Sequence, residues 1–147
     1  MKLSTKGRYA VMAMIDLALY AQDNPVALSD IADRQEISLS YLEQLFAKLR
    51  RAGLIRSVRG PGGGYMMARP ADEVVITHIF KAVEEPIRTN ACNPDSPHGC
   101  RADKSRCITH DLWLGLSNTI YDYLDSVTLD DVLKRRVPIS TYQPAAQ

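Results

Sequence analysis

From Thr5 to Gln22 apolar residues fall on nearly every side of a helical wheel, among them Ala10, Val11, Met14, Ile15, Leu17, Ala18 and Leu19. That distribution predicts a largely buried helix, stopped by Asn24-Pro25. A short second helix is expected through Asp30-Ile31-Ala32-Asp33-Arg34, capped by Ser29 and followed by a turn at Gln35-Glu36-Ile37. The pattern then becomes sharply periodic. Leu42, Leu45, Phe46 and Leu49 recur at helical spacing behind Ser40-Tyr41-Leu42-Glu43, which fits a capping box, and Ala52-Gly53 supplies the stop. Leu54-Ile55-Arg56-Ser57-Val58 and Tyr65-Met66-Met67-Ala68 read as two short strands around the glycine-rich tip Arg59-Gly60-Pro61-Gly62-Gly63-Gly64. Helix, helix, turn, helix and hairpin predict a winged helix-turn-helix over residues 1–70, so the fold class is mainly α with a small β-hairpin.

A connector helix region is expected over 71–87 and a loop over 88–110. Beyond the loop, Trp113, Leu116, Ile120, Tyr123 and Val127 step by three, four, three and four. This is the spacing of a coiled-coil seam, and it predicts a long dimerisation helix over 111–127. Only about two heptads are present, so the same stripe equally suits packing on its own domain. Thr128-Leu129-Asp130-Asp131 carries a capping pattern that starts a last short helix, and Pro138 to Gln147 reads as a loose tail.

Composition adds little until it is divided along the chain. With 147 residues, 46% hydrophobic and 24% charged, the chain suits one good core. The N-terminal stretch lacks a signal-peptide apolar region, and Asp16 interrupts the apolar run from Tyr9 to Ala21, so a cytoplasmic protein without a membrane partner is expected. Residues 1–70 hold ten Lys/Arg against six Asp/Glu, whereas 71–147 hold eight against eleven, which is +4 against −3. No acid lies between Glu43 and Asp72, an interval containing Lys48, Arg50, Arg51, Arg56, Arg59 and Arg69. The segment suits a polyanion such as double-stranded DNA, or else a solvated basic face.

On the winged-helix reading the helix from Ser40 enters the major groove and the wing tracks a phosphate backbone. Ser38, Ser40, Tyr41 and Gln44 are then candidates to reach bases or phosphates, and Arg50, Arg51 and Arg59 to grip the backbone. Glu43 has two open readings: it accepts from cytosine N4, or it merely completes the Ser40 capping box. The glycine-rich tip is a poor nucleotide loop. It lacks a Gly-Lys-Ser/Thr ending and joins two strands instead of opening a helix.

The candidate chemistry lies in one nineteen-residue stretch, Cys92-x7-Cys100-x6-Cys107-x2-His110, which contains every cysteine of the chain. In a reducing cytoplasm an odd set of three cysteines is better read as ligands or redox-active thiols than as disulfides. Three thiolates and an imidazole suit a tetrahedral zinc site or an iron-sulfur cluster. An enzyme using these thiols is a further class, but no Ser-His-Asp order or phosphate loop accompanies them, and His78 and Glu84-Glu85 look incidental.

Three stretches, Leu3-Ser4-Thr5-Lys6-Gly7-Arg8-Tyr9-Ala10, Ile37-Ser38-Leu39-Ser40-Tyr41-Leu42-Glu43-Gln44-Leu45-Phe46 and Ser57-Val58-Arg59-Gly60-Pro61-Gly62-Gly63-Gly64-Tyr65, resemble the Rrf2 family of bacterial transcription regulators. The likeness covers almost the whole chain. Three cysteines followed by Thr109-His110-Asp111-Leu112-Trp113 resemble, more narrowly, the branch of that family that holds a [2Fe-2S] cluster through three Cys and one His. The resemblance implies a non-enzymatic regulator that binds promoter DNA as a homodimer, with Cys92, Cys100, Cys107 and His110 as ligands and cluster-assembly proteins as donors. It further implies repression of a cluster-assembly operon in the loaded form and regulation of other promoters. Ser4, Lys6 and Gly60, within the matching stretches, join the candidate DNA contacts.

Two departures matter. The ligand loop is slightly longer than the branch's pattern, and Asn93-Pro94-Asp95-Ser96-Pro97-His98 within its first gap makes His98 a rival ligand, although Cys107-x2-His110 retains the family spacing. The tail also lacks that branch's longer extension. A nitric-oxide-sensing branch resembles the chain too, but takes an acidic ligand from the first helix, where Lys6-Gly7-Arg8 stands here. A nitric-oxide, iron or redox sensor with a different cluster, and a zinc-stabilised DNA-binding protein, remain the alternatives.

Overall fold

The computed structural model describes residues 4–89, 99 and 101–139. Helix α1 (Thr5–Tyr20) starts at Ser4, whose hydroxyl accepts the amide of Lys6 at 3.2 Å. Residues 9–18 are all buried or half-buried, as its apolar wheel predicts. Ala10, Ala13, Met14 and Leu17 are sealed in the core, whereas Leu19 and Tyr20 are half exposed.

Helix α2 (Leu28–Gln35) is capped by the backbone of Ala27 rather than by Ser29, which falls inside the first turn. The reason is tertiary. Val26 exchanges two backbone hydrogen bonds with Tyr65 of the hairpin, at 3.0 and 2.8 Å, and so fixes where the chain leaves its extended path. Helix α3 (Leu39–Arg51) shows the same kind of correction. Ser38, not Ser40, is its N-cap, accepting from the amide of Tyr41 at 3.4 Å, so Ser40 lies within the first turn and forms no capping box with Glu43. The preceding turn decides this, because buried Ile37 closes back on the Ala32 carbonyl and leaves Ser38 in extended geometry.

Strands β1 (Ile55–Val58) and β2 (Gly64–Met67) pair antiparallel from Ile55 opposite Met67 to Val58 opposite Gly64. Gly64 allows the close approach to Val26, since a Cβ there would lie 2.3 Å from the Val26 carbonyl oxygen. The Tyr65 ring meets Phe46 edge-to-face at 5.0 Å, which seats the hairpin on α3.

The core continues past the wing. After a short 3-10 turn (Ala71–Glu73) come α4 (Ile76–Ala82), the long α5 (His110–Asp125) and α6 (Leu129–Leu133). Val74, Ile79, Phe80, Val83, Val127 and Leu129 share the core of α1–α3. Residues 74–76 and 127–129 are laced together by Ile76 N–H to Val127 O and Leu129 N–H to Val74 O, both 2.9 Å. Val127 therefore leaves the proposed seam: α5 ends at Asp125, and Val127 is buried in its own domain. The capping pattern at Thr128 appears as expected, with the Thr128 hydroxyl accepting from Asp131 N–H and the Asp131 carboxylate accepting from Thr128 N–H. The Thr128 N–H and then the Thr128 hydroxyl, donating to the Asp131 carboxylate at 3.0 and 2.8 Å, hold that carboxyl below its ordinary range, with Arg136 adding to them.

The acid that interrupts the apolar run of α1 is internal. Asp16 is 1% exposed and accepts a two-pronged bond from Arg34, at 2.9 and 2.7 Å, and a third from Gln35 at 2.8 Å. Arg34 also lies over the Tyr20 ring at 4.2 Å. Arg34→Ala would strand the buried carboxylate and cost about 3 kcal/mol. Asp16→Asn should cost about 1 kcal/mol, because Arg34 retains access to water. Urea midpoints of the two variants, at unchanged m, check this order.

Candidate functional site

Opposite the buried row Leu42, Leu45, Phe46 and Leu49, α3 exposes Ser40, Glu43, Gln44 and Arg50 along one face. Ser38 is exposed at the end of this face but its hydroxyl is engaged as the cap. Tyr41 is half-buried, its ring edge-on to Tyr9 at 6.1 Å, so its position is held by α1. Arg59 and Gly60 are exposed at the wing tip, where Gly60 takes φ 101°, a conformation that side-chain-bearing residues rarely adopt. The result is a hydrophilic face on α3 beside an exposed basic hairpin.

Two candidates stand apart from that face: Ser4 caps α1, and Lys6 directs its ammonium to the Glu84 carbonyl at 3.4 Å. Arg51, exposed at the C-terminal end of the face, also lines a cavity behind α3. Glu84, taken from the sequence as incidental, is engaged: its carboxylate pairs with Lys48 of α3. The Lys48 bond, then the charges of Lys48, Lys6 and Arg51, hold its carboxyl below the usual carboxylate range. No spacing rule connects residues thirty-six positions apart.

Of the candidate ligands, Cys92, Cys100 and the rival His98 lie outside the described residues. Cys107 is half-buried, its Sγ 3.7 Å from the Thr109 hydroxyl. His110 opens α5, its backbone N–H donating to the Cys107 carbonyl at 3.0 Å. The residue is 6% exposed, and Nδ1 is buried without a hydrogen-bond partner among the described residues. An unsatisfied buried polar atom is costly. A ring nitrogen bound to a metal is not left unsatisfied, so the donor fits a metal or cluster ligand.

At the other end of the candidate ligand segment Thr89 is fastened to α5. Its hydroxyl donates to the Trp113 carbonyl at 2.8 Å, and its N–H donates to the Ser117 hydroxyl at 3.1 Å. Both ends of the segment are thus tied to the same helix. Neither Thr89 nor Ser117 is conspicuous in sequence, because small hydroxyl residues at a loop and a mid-helix position carry no motif. Farther along α5, Trp113 and Tyr123 are about 40% exposed and Leu116 and Ile120 half-buried, leaving an apolar stripe partly open.

Comparison with known proteins joins these parts. Residues 3–135 match the family model for Rrf2, described as an iron-dependent transcriptional regulator. The chain belongs to the Rrf2 family. It is 48% identical over 136 residues to the HTH-type transcriptional regulator IscR of Pectobacterium carotovorum, covering 92% of this chain and 81% of that protein. To IscR of Vibrio campbellii it is 52% identical over 134 residues, 91% and 78% of the two chains. Among solved structures, T. potens IscR superposes with a TM-score of 0.74 at 38% identity, covering 98% of this chain and 94% of that one. CymR, the global cysteine regulator of B. subtilis, gives 0.73 at 35% identity, with 92% and 98% covered.

The Rrf2 chain is therefore a winged-helix transcription regulator, and its relatives are regulators rather than enzymes. Among the described residues no helix is long and apolar enough to cross a membrane. The two serines of α3 should separate in measurement. Ser38→Ala removes the cap and lowers unfolding stability by about 1 kcal/mol, whereas Ser40→Ala, exposed within the first turn, should change it by less than about 0.5 kcal/mol.

Proposed function

We propose that this Rrf2 protein senses iron-sulfur cluster supply and binds promoter DNA as a homodimer. Cys92, Cys100, Cys107 and His110 are the proposed ligands of a [2Fe-2S] cluster delivered by cluster-assembly proteins. The observation that carries the reading is the buried, unpartnered Nδ1 of His110, three residues from Cys107 in a family described as iron-dependent. The names of the IscR relatives, at about half identity over most of the chain, support it.

Each residue then has a defined task. Thr89, held by Trp113 and Ser117, and His110, in the first turn of α5, set the two ends of the ligand segment on one rigid helix. The imidazole adds no negative charge to the site, unlike a fourth thiolate, and its position is set by α5 rather than by the loop. When bound, a [2Fe-2S] cluster supplies a redox-active, loss-prone group whose occupancy follows supply and damage. The open stripe Trp113, Leu116, Ile120 and Tyr123 offers the second copy an apolar surface, and two copies suit an operator with two half-sites.

In this scheme Ser38, Ser40, Tyr41, Glu43 and Gln44 approach the major groove, while Arg50, Arg51, Arg59 and Gly60 meet the backbone, with Ser4 and Lys6 at the margin. Repression of a cluster-assembly operon requires that the loaded and unloaded forms bind its promoter unequally. The alternative sensors of this fold differ in the group held, not in the winged domain.

Anaerobically purified protein should show visible charge-transfer absorption that His110→Ala diminishes or loses more rapidly. A colourless sample containing stoichiometric zinc would overturn the cluster assignment. Promoter affinity should fall with salt by roughly 0.9 log unit per log unit for each phosphate neutralised, and Arg59→Gln should lower that slope by about one contact per protomer. A flat salt response measured by fluorescence anisotropy would contradict the proposed DNA face.

A further inference from the structure

Behind the C-terminal end of α3, at the foot of the wing, lies an open cavity of about 470 Å³. Lys48 and Arg51 reach it from α3, Arg69 from the end of the hairpin, His78 and Lys81 from α4, and Glu84 from the residues that follow α4. Counting the four Lys and Arg against the one carboxylate leaves 4 − 1 = +3 around the cavity. Cations brought together in this way repel one another, and a multivalent anion relieves the repulsion.

Glu84 shows what the cavity selects. Its backbone takes φ 57°, a conformation that disfavours residues other than glycine. Two contacts accompany that geometry: the Lys6 ammonium on its carbonyl and the Lys48 ammonium on its carboxylate. Its depressed carboxyl pKa reflects the same surroundings, Lys48 first and then Lys6 and Arg51. The Glu84 side chain is nevertheless 72% exposed, so an anion from solution has access to the same cations. Glu84 thus acts as an internal anion that neutralises only part of the site.

We propose that this cavity binds a phosphate group, with Lys48, Arg51, Arg69 and Lys81 as its cationic contacts and Glu84 as the internal competitor. Two arginines supply planar forks suited to phosphate oxygens, and the lysines supply point charges. The volume lies in the range that accepts small organic ligands. The cavity is also separate from the reading end of α3, since Ser40 and Arg51 are eleven residues apart, about 17 Å along a helix. Arg69, His78 and Lys81 belong to none of the proposed DNA contacts. The phosphate comes either from a small phosphorylated molecule or from the backbone of bound DNA. The inference does not rest on the cluster assignment.

Pyrophosphate, at constant ionic strength, is the probe for the full chain without DNA, and Arg69→Gln/Lys81→Gln is the variant. Both replaced side chains are exposed, so circular dichroism and Tm without anion should match those of the unaltered protein. For a small-molecule site, calorimetry should show saturable pyrophosphate binding that raises Tm and weakens at least tenfold in the variant. Glu84→Gln, which removes the competing charge, should then tighten binding several-fold; equal or weaker affinity would overturn the competitor role. For a backbone site, pyrophosphate should not bind, while the variant's log K against log salt slope for duplex DNA should fall by roughly 0.9 per lost contact. Absent or variant-independent pyrophosphate binding, together with an unchanged DNA salt slope, would overturn the phosphate site.

Discussion

Helix α1 is the surface on which the rest of the fold is assembled, and the small side chains on its inner face make this possible. Ala10 and Ala13 keep that face low, while Met14 and Leu17 fill the space beside them, so that α2, α3, α4, α6 and β2 all reach it. A helix touched on so many sides cannot shift without disturbing its neighbours, because interiors are packed at near-crystal density. Asp16 adds direction to that packing. Its buried carboxylate admits α2 only where Arg34 and Gln35 can satisfy it.

This arrangement brings the proposed DNA-facing and ligand-bearing parts of the chain into mechanical contact. The Tyr9–Tyr41 contact sets the first turn of α3 against α1, and the Lys48–Glu84 pair sets its last turn against the end of α4. The chain that leaves Glu84 reaches Thr89, which is bonded to α5. A continuous series of contacts therefore joins α3 to the helix that begins with His110. In the proposed regulator, a change in how the ligand segment is held would act on α3 through these elements. The physical requirement is unequal DNA affinity in the two states, not contact alone.

The winged helix was legible because its signals are local and redundant. Leu42, Leu45, Phe46 and Leu49 announce α3, and the glycine-rich tip between two apolar runs announces the wing. The caps were less legible: Ser29 and Ser40 have suitable side chains, yet Ala27 and Ser38 stand at the helix starts. Those starts are chosen by the Val26–Tyr65 bridge and the Ile37 turn, which bring together residues that capping rules do not compare. At Thr128 no such competitor intervened, and the local capping box formed as written.

By itself the sequence determined the kinds of element, their order, the basic character of the α3–wing region and the grouping of three cysteines with His110. Each follows from local spacing or residue chemistry. Tertiary structure decided that Asp16 is an internal anchor, that Val127 belongs to the core and that His110 Nδ1 is buried without a partner. It also decided that Glu84 meets Lys48 within a ring of cations. These outcomes depend on burial and on contacts between distant segments. Both arise only when the chain packs, because the free energy of a charge or a polar nitrogen depends on what surrounds it.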